Sequence, residues 1–273
     1  MFHAPQARTG AQGALRTFEL IYHSIVRDLR KTHRHALIGL LLNVLQTMIL
    51  VLTFYLMFVV LGLRTSAIRG DFLLFVMTGI FMFISHTKSM SAVLGSEGPT
   101  SAMMKHRPMN TIIAVTSSAL AALYIQVLSA IVVLFLYHAI ITPLEIHQPI
   151  FCLLMLILAW FFGVAVGMVF LAMKPWFPEL TGILSTIWTR ANMVASGKMF
   201  LANTLPGFML DWFDWNPLFH IIDQVRGFAF INYNPHFSSL TYPLVASIVL
   251  LMIGMIGESY TRKKASVSWS AGK

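Results

Sequence analysis

WNPLFHIIDQVRGFAFINYNP, residues 215–235, lies between two strongly apolar stretches and interrupts them. It is aromatic, carries Asp223 and Arg226 on a short helical pattern, and closes in the turn-rich Asn232-Tyr233-Asn234-Pro235. The preceding LPGFMLDWFDW, residues 205–215, has the same character. Each reads as a short amphipathic helix, with Pro206 and Pro217 at helix-start positions. The whole segment 203–238 is too apolar for a solvated loop. Irregular backbone at membrane depth persists only where protein buries it or where it faces a water-filled cavity. The interruption therefore points to a lid or collar over a pathway through the protein.

The rest of the chain supplies the membrane context. Hydrophobic residues make up 57% and charged residues 11% of 273, with a mean hydropathy of +0.75. Soluble domains carry about 25% charged residues, so lipid is the main solvent expected here. Residues 1–35 are polar and basic without an early apolar core, so no cleavable signal peptide is expected. Cys152 is the only cysteine, which excludes an intrachain disulfide and a multi-cysteine metal site.

A spanning helix needs about 20 apolar residues. Five runs satisfy this readily: 36–63, 72–94, 110–144, 146–173 and a last one starting near Ser239. A further run, 180–201, is weaker and is broken by Arg190 and Lys198. The expectation is an all-α membrane protein with about six transmembrane helices, the fifth being 180–201. The net charge of +9 is distributed unevenly. With the N-terminus inside, inner segments hold thirteen Lys and Arg, against Arg64, Arg69 and Arg226 outside. Both termini are thus expected in the cytoplasm. The excess charge reads as a topology signal and a contact with anionic lipid, in preference to nucleic-acid binding. The expected organisation is a cytoplasmic segment 1–35, a transmembrane domain 36–260 and a basic tail 261–273.

Within the first segment, Leu15, Phe18, Ile21, Tyr22, Ile25 and Leu29 recur at helical spacing opposite Arg16, Glu19, Arg27, Arg30 and Lys31. This predicts an amphipathic helix on the inner membrane surface. It is either an anchor or a gate at the mouth of a pathway. Between the second and third runs, GSEGPTSAMMKHRPMNT (95–111) has Gly and Pro breakers around a short helical stretch, 100–106. Met103 and Met104 suit an adaptable contact surface there, although an ordinary loop reads equally well.

Catalytic chemistry is not indicated. SGKMF (196–200) lacks the first glycine and the Ser/Thr of a phosphate-binding loop. Asp211, Asp214, His220 and Asp223 are spaced as conceivable metal ligands, but Trp212, Phe213, Trp215 and Phe219 among them favour a membrane interface. Lys88 and Glu258 fall near the ends of apolar runs, where reaching to the interface explains them. Arg190 differs, because a charge in mid-span tends to line a pathway or find a partner.

The sequence resembles the type-2 permeases of ABC exporters, especially those for capsular polysaccharide and O-antigen. The resemblance covers nearly the whole chain and rests on four features in order. They are the amphipathic N-terminal helix; MMKHRPMNTIIA (103–114) before the third run; SGKMFLANTLP (196–206), similar to a Ser-Gly-aromatic stretch and Leu-Pro; and 215–235, similar to an Asn-Pro-Leu-x-His…Arg…Tyr-Asn signature. Lys198 and Met199 depart from the pattern, where an aromatic or small apolar residue is usual.

The resemblance implies a half-transporter. Two copies would form the channel in the bacterial inner membrane and two copies of a separate ATPase would bind below. This chain would bind no cofactor of its own, and ATP and Mg would sit on the partner. Thr100, Ser101, Ala102, Met103, Met104, Lys105, His106 and Arg107 would be the ATPase-coupling element, and Arg27, Arg30 and Lys31 would flank the substrate entrance. Arg190, Trp188 and Tyr55 would face the translocation path, and Trp212, Trp215, Asn216, Pro217, His220 and Arg226 would form the outer gate. The cargo would be a lipid-linked polysaccharide, passed on to a periplasmic or outer-membrane export protein. A drug, lipid or teichoic-acid-like polymer is the alternative within this family. A membrane-embedded lipid-modifying enzyme would need a polar cluster at one depth, and only isolated charges are visible.

Overall fold

A computed structural model of the chain describes residues 10–31, 36–60, 62, 71–98 and 111–264. Among them the backbone forms α-helices joined by turns, without strands. The helices are α1 (Gly10–Lys31), α2 (Ala36–Val60), α3 (Phe72–Leu94), α4 (Thr111–Ile140), α5 (Pro149–Met173), α6 (Pro178–Ala195), α7 (Gly207–Leu210), α8 (Pro217–Ala229) and α9 (Thr241–Lys264). Five of the described helices, α2, α3, α4, α5 and α9, are long and apolar enough to cross a membrane.

α3 is the axle of the bundle. Most of it is buried, its first half apolar on all sides, and it packs against α2, α4, α5 and α8. Its contact with α5 is unusually close because of glycine. A Cβ built on Gly163 would lie 2.3 Å from the His86 carbonyl oxygen and 2.1 Å from Ser89 Oγ of α3. Gly163 and Gly167 form a small-xxx-small face on α5, which lets two membrane helices approach backbone to backbone. The outer faces of α2 and α9 instead expose Leu, Ile and Met, as lipid-facing helices do.

The amino ends of α3, α5 and α9 meet the carboxyl end of α4 at one end of the bundle. There Asp71 caps α3 and accepts hydrogen bonds from Tyr137 and Thr142, and the amides of His147 and Gln148 bond to Ala229 and Phe228. This end carries α7 and α8 and is the cap end. At the opposite end Asp28 of α1 accepts from Ser117 and Ser118 of α4, the latter at 2.8 Å. Lys174 donates to the Leu94 carbonyl there, and Trp176 donates to Thr261.

The expected fifth span, 180–201, corresponds to α6, which runs from the α1 end, beside Lys174, to the cap at Asn216 and is more polar than the five helices above. α6 has 18 residues, about 27 Å of helix, against a hydrocarbon core of about 30 Å. Ser, Thr, Asn and Arg190 keep it below the apolarity of a lipid-facing span, and only Thr181 and Asn192 of it are buried. Its chain then turns sharply at Gly197, whose φ is +72°, and enters the cap. The two expected helices of the interruption also differ in size. α7 is a single turn followed by further turns to Trp215, and Pro206 precedes it as its N-cap. α8 is a full helix with Pro217 in its first turn.

Candidate functional site

The cap is built around α8, and its sequence signature consists of fasteners. Asn216 caps α8 by accepting from the Leu218 amide at 3.0 Å. The same side chain donates to Asn192 Oδ1 and to the Ala195 carbonyl, both at 3.0 Å, which ties the end of α6 to the start of α8. Pro217 supplies a pre-set φ and needs no donor at that position. Arg226 is 1% exposed. Its guanidinium donates to the carbonyls of Gly197 (2.8 Å), Phe200 (2.6 Å) and Lys198 (2.7 Å), and it stacks over Phe75 at 4.1 Å. Burial lowers its pKa to about 10 while Asp223 opposes that, so it stays a cation.

Asp223 is the acid of the same cluster. It accepts from Tyr233 at 2.5 Å and from Ser238 at 2.7 Å. Burial and this carboxylate together hold the Tyr233 phenol well above its ordinary range. His220 closes the cap onto α9: its Nδ1 accepts from the Ser239 amide at 3.1 Å. That leaves Nε2 as the donor to Asp214, 2.7 Å from the backbone oxygen and 3.2 Å from Oδ1. The expected outer-gate residues thus divide. Asn216, Pro217, His220 and Arg226 are buried within their own chain, whereas Trp212 and Trp215 are 74% and 54% exposed. Beside them Asp211, Asp214, His236 and Tyr242 border an open hollow of about 680 Å³. The acids and histidines weighed as metal ligands form no cluster of three among the described residues.

Lys198 marks where this chain departs from the family pattern. Its backbone abuts Gly79 of α3, where a Cβ would come within 2.9 Å of Lys198 Cβ. Its ammonium lies 3.7 Å from the centroid of Phe83 and 4.6 Å from that of Phe54. It is buried, and Nζ has no hydrogen-bond partner among the described residues. The side chain therefore joins the α6–α7 connection to α2 and α3 through aromatic faces.

The second site is the groove between α6 and the far half of α3. Its volume is about 550 Å³, and it runs from Arg190 toward Lys174 at the α1 end. Trp188 holds α6 against the bundle by donating to His86 Nε2 at 3.0 Å and by edge contact with Phe162. Below it the groove is lined by hydroxyls: Ser91 on α3, and Thr181, Ser185, Thr186 and Thr189 on α6. Among the described residues no carboxylate lines it and Arg190 has no ion pair. Of the expected path residues, Arg190 lines the groove and is exposed, Trp188 is half-buried beside His86, and Tyr55 lies apart, on α2 against Phe72. The hydroxyl row and Lys174 were not singled out from sequence, although 181, 185 and 189 recur at one helical turn.

The remaining expectations are placed as follows. Arg27 is half-buried on α1 and lies 3.5 Å from Asp28. Arg30 and Lys31 end that helix. The coupling element, 100–107, lies outside the described residues. Lys88 bonds to Gln46 at 2.7 Å. Glu258, expected to reach the interface, is instead buried, 5% exposed. It borders an apolar cavity of about 370 Å³ formed by α4, α5 and α9.

Two Escherichia coli proteins, each a polysialic acid transport protein KpsM, are similar to this chain. Each is 23% identical over 189 residues, which is 68% of this chain and 71% of the relative. Residues 19–230 match the ABC-2 type transporter family, a span that includes α6, α8 and the groove between α3 and α6. The chain belongs to that family and is a membrane-embedded transport subunit.

Proposed function

We propose that this chain is the permease of an ATP-driven exporter that moves a lipid-linked polysaccharide across the bacterial inner membrane. It would act as two copies with two copies of a separate ATPase, with the α1 end and both termini in the cytoplasm. ATP and Mg would be held by that ATPase. The observation that carries the reading is α6: a hydroxyl-rich helix with Arg190, exposed in a single chain, inside an otherwise apolar bundle. Polar residues at membrane depth line a water-filled route or a protein contact, and α6 offers both to a second copy. The kinship with proteins named for polysialic acid transport supports a glycan cargo. Residues 100–107 would dock on the ATPase, and Arg27, Arg30 and Lys31 would flank the entrance at the α1 end.

The test is ATP-dependent transfer of polysaccharide into inverted membrane vesicles that contain this chain and its ATPase. Glycan should enter the lumen only with hydrolysable ATP. A complex that hydrolyses ATP but transfers a lipid or drug instead would overturn the glycan assignment. The double variant Met103→Asp, Met104→Asp should keep the permease in the membrane and abolish coupling, because it would bury charge at the contact.

A further inference from the structure

The groove between α3 and α6 has a division of chemistry that goes beyond its being polar. Every α6 hydroxyl in it already donates its proton to the helix backbone. Thr181 donates to the Phe177 carbonyl at 2.8 Å, Ser185 to Gly182 at 3.0 Å, Thr186 to Gly182 at 2.9 Å and Thr189 to Ser185 at 2.9 Å. A hydroxyl has one proton and two lone pairs. These side chains therefore present acceptors to the groove and no donor. Such a row welcomes the O–H groups of a sugar and gives nothing to a carboxylate or phosphate.

Donors for an anion come from elsewhere. Lys174 gives one proton to the Leu94 carbonyl at 3.1 Å and retains the others. Arg190 lines the groove at its far end, with no ion pair among the described residues. From Pro178 to Arg190 the helix rises about 18 Å, which is long enough for several sugar residues. Both cations point to the same preference, because a guanidinium or ammonium pairs with an oxyanion more strongly than with a neutral oxygen.

We propose that this groove is a binding site for an oxyanion-bearing glycan, with sugar hydroxyls on the acceptor row of α6 and a carboxylate or phosphate at Arg190 or Lys174. The assignment rests on the exporter reading above and specifies what its cargo must carry. The oxyanion has two possible sources: an acidic sugar, or the phosphate that joins a glycan to its lipid carrier.

The test measures equilibrium binding to the full-length chain, assembled with its ATPase in nanodiscs. The probes are a sialic acid hexamer, maltohexaose and a polyprenyl phosphate. For the wild type, at least one anionic probe should bind about tenfold more tightly than the neutral hexasaccharide, a difference of about 1.4 kcal/mol. Arg190→Gln with Lys174→Gln should erase that preference, and Arg190→Lys with Lys174→Arg should restore it. Ser185→Ala with Thr186→Val should weaken both hexasaccharides alike and spare the polyprenyl phosphate. Loss of hexamer binding alone in the charge variant identifies the sugar as the source of the oxyanion, and loss of polyprenyl phosphate binding alone identifies the carrier. The proposal is overturned if the charge variant leaves both anionic probes unchanged, or if maltohexaose binds as tightly as the tighter of the two. ATP-dependent glycan transfer is scored on the same preparations. Absent discrimination in a transporting complex removes the groove assignment alone, whereas absent transfer removes the exporter reading.

Discussion

α8 and α6 are two polar helices beside an apolar bundle, and they handle their polarity in opposite ways. α8 is almost wholly buried, and its strong polar groups are held by its own chain: the two terminal nitrogens of Arg226 by three carbonyls, Asp223 by Tyr233 and Ser238, and His220 by Ser239 and Asp214. α6 is mostly exposed, with Arg190 and the Thr186 side chain facing open space. The contrast teaches that a charge in a membrane chain has no single meaning. Arg226 is a fastener because its terminal nitrogens donate inside the fold, and Arg190 is available because it lines an open groove without an ion pair among the described residues.

The largest effect that sharpens this comparison should come from Arg226→Leu. It would leave the carbonyls of Gly197, Lys198 and Phe200 buried without their donor and Asp223 without its neighbouring cation. A loss of about 3–5 kcal/mol is expected, visible as loss of monodisperse protein on size exclusion. A variant with an unchanged unfolding temperature would mean that the cap does not depend on this side chain. Next in size is Gly163→Ala, since the added Cβ would meet α3 at 2.1 Å from Ser89 Oγ. Separation of α3 from α5 should cost about 1–3 kcal/mol, measured as a lower thermal midpoint in detergent. At the small end, Thr186→Val on α6 should change stability by less than about 0.5 kcal/mol and still reduce glycan transfer. Equal losses of stability at Thr186 and Arg226 would erase the distinction between the two helices.

Much of the fold was legible in the sequence, because length and apolarity alone define a spanning helix. α2, α3, α4, α5 and α9 fall where the apolar runs placed them. α6 was read as the weakest span, with Ile183, Leu184, Ile187 and Val194 giving it an apolar side. A linear count of apolar residues does not register that Thr181, Ser185 and Thr189 gather on the opposite side. The short helices α7 and α8 fall within the interruption read at 203–238, but the contacts of its residues were not readable. Whether Arg226 faces a pathway or three carbonyls depends on where 197–200 folds back, and that turn is set by Gly197 and by contact with Gly79 far earlier in the chain. Lys198 looked anomalous for the same reason: the faces of Phe83 and Phe54 that receive it lie more than a hundred residues away.

The central claim is that the polar side of α6 borders the aqueous route of an exporter. It is tested most directly by a thiol at its exposed cation, Arg190→Cys in a Cys152→Ala background, assembled with the ATPase in membrane vesicles. The account predicts rapid reaction with a small charged thiol reagent, slowed when glycan is present, and a fall in ATP-dependent glycan transfer after labelling. A thiol that stays unreactive, in a complex whose transfer is unchanged, would contradict it and make Arg190 a structural charge like Arg226.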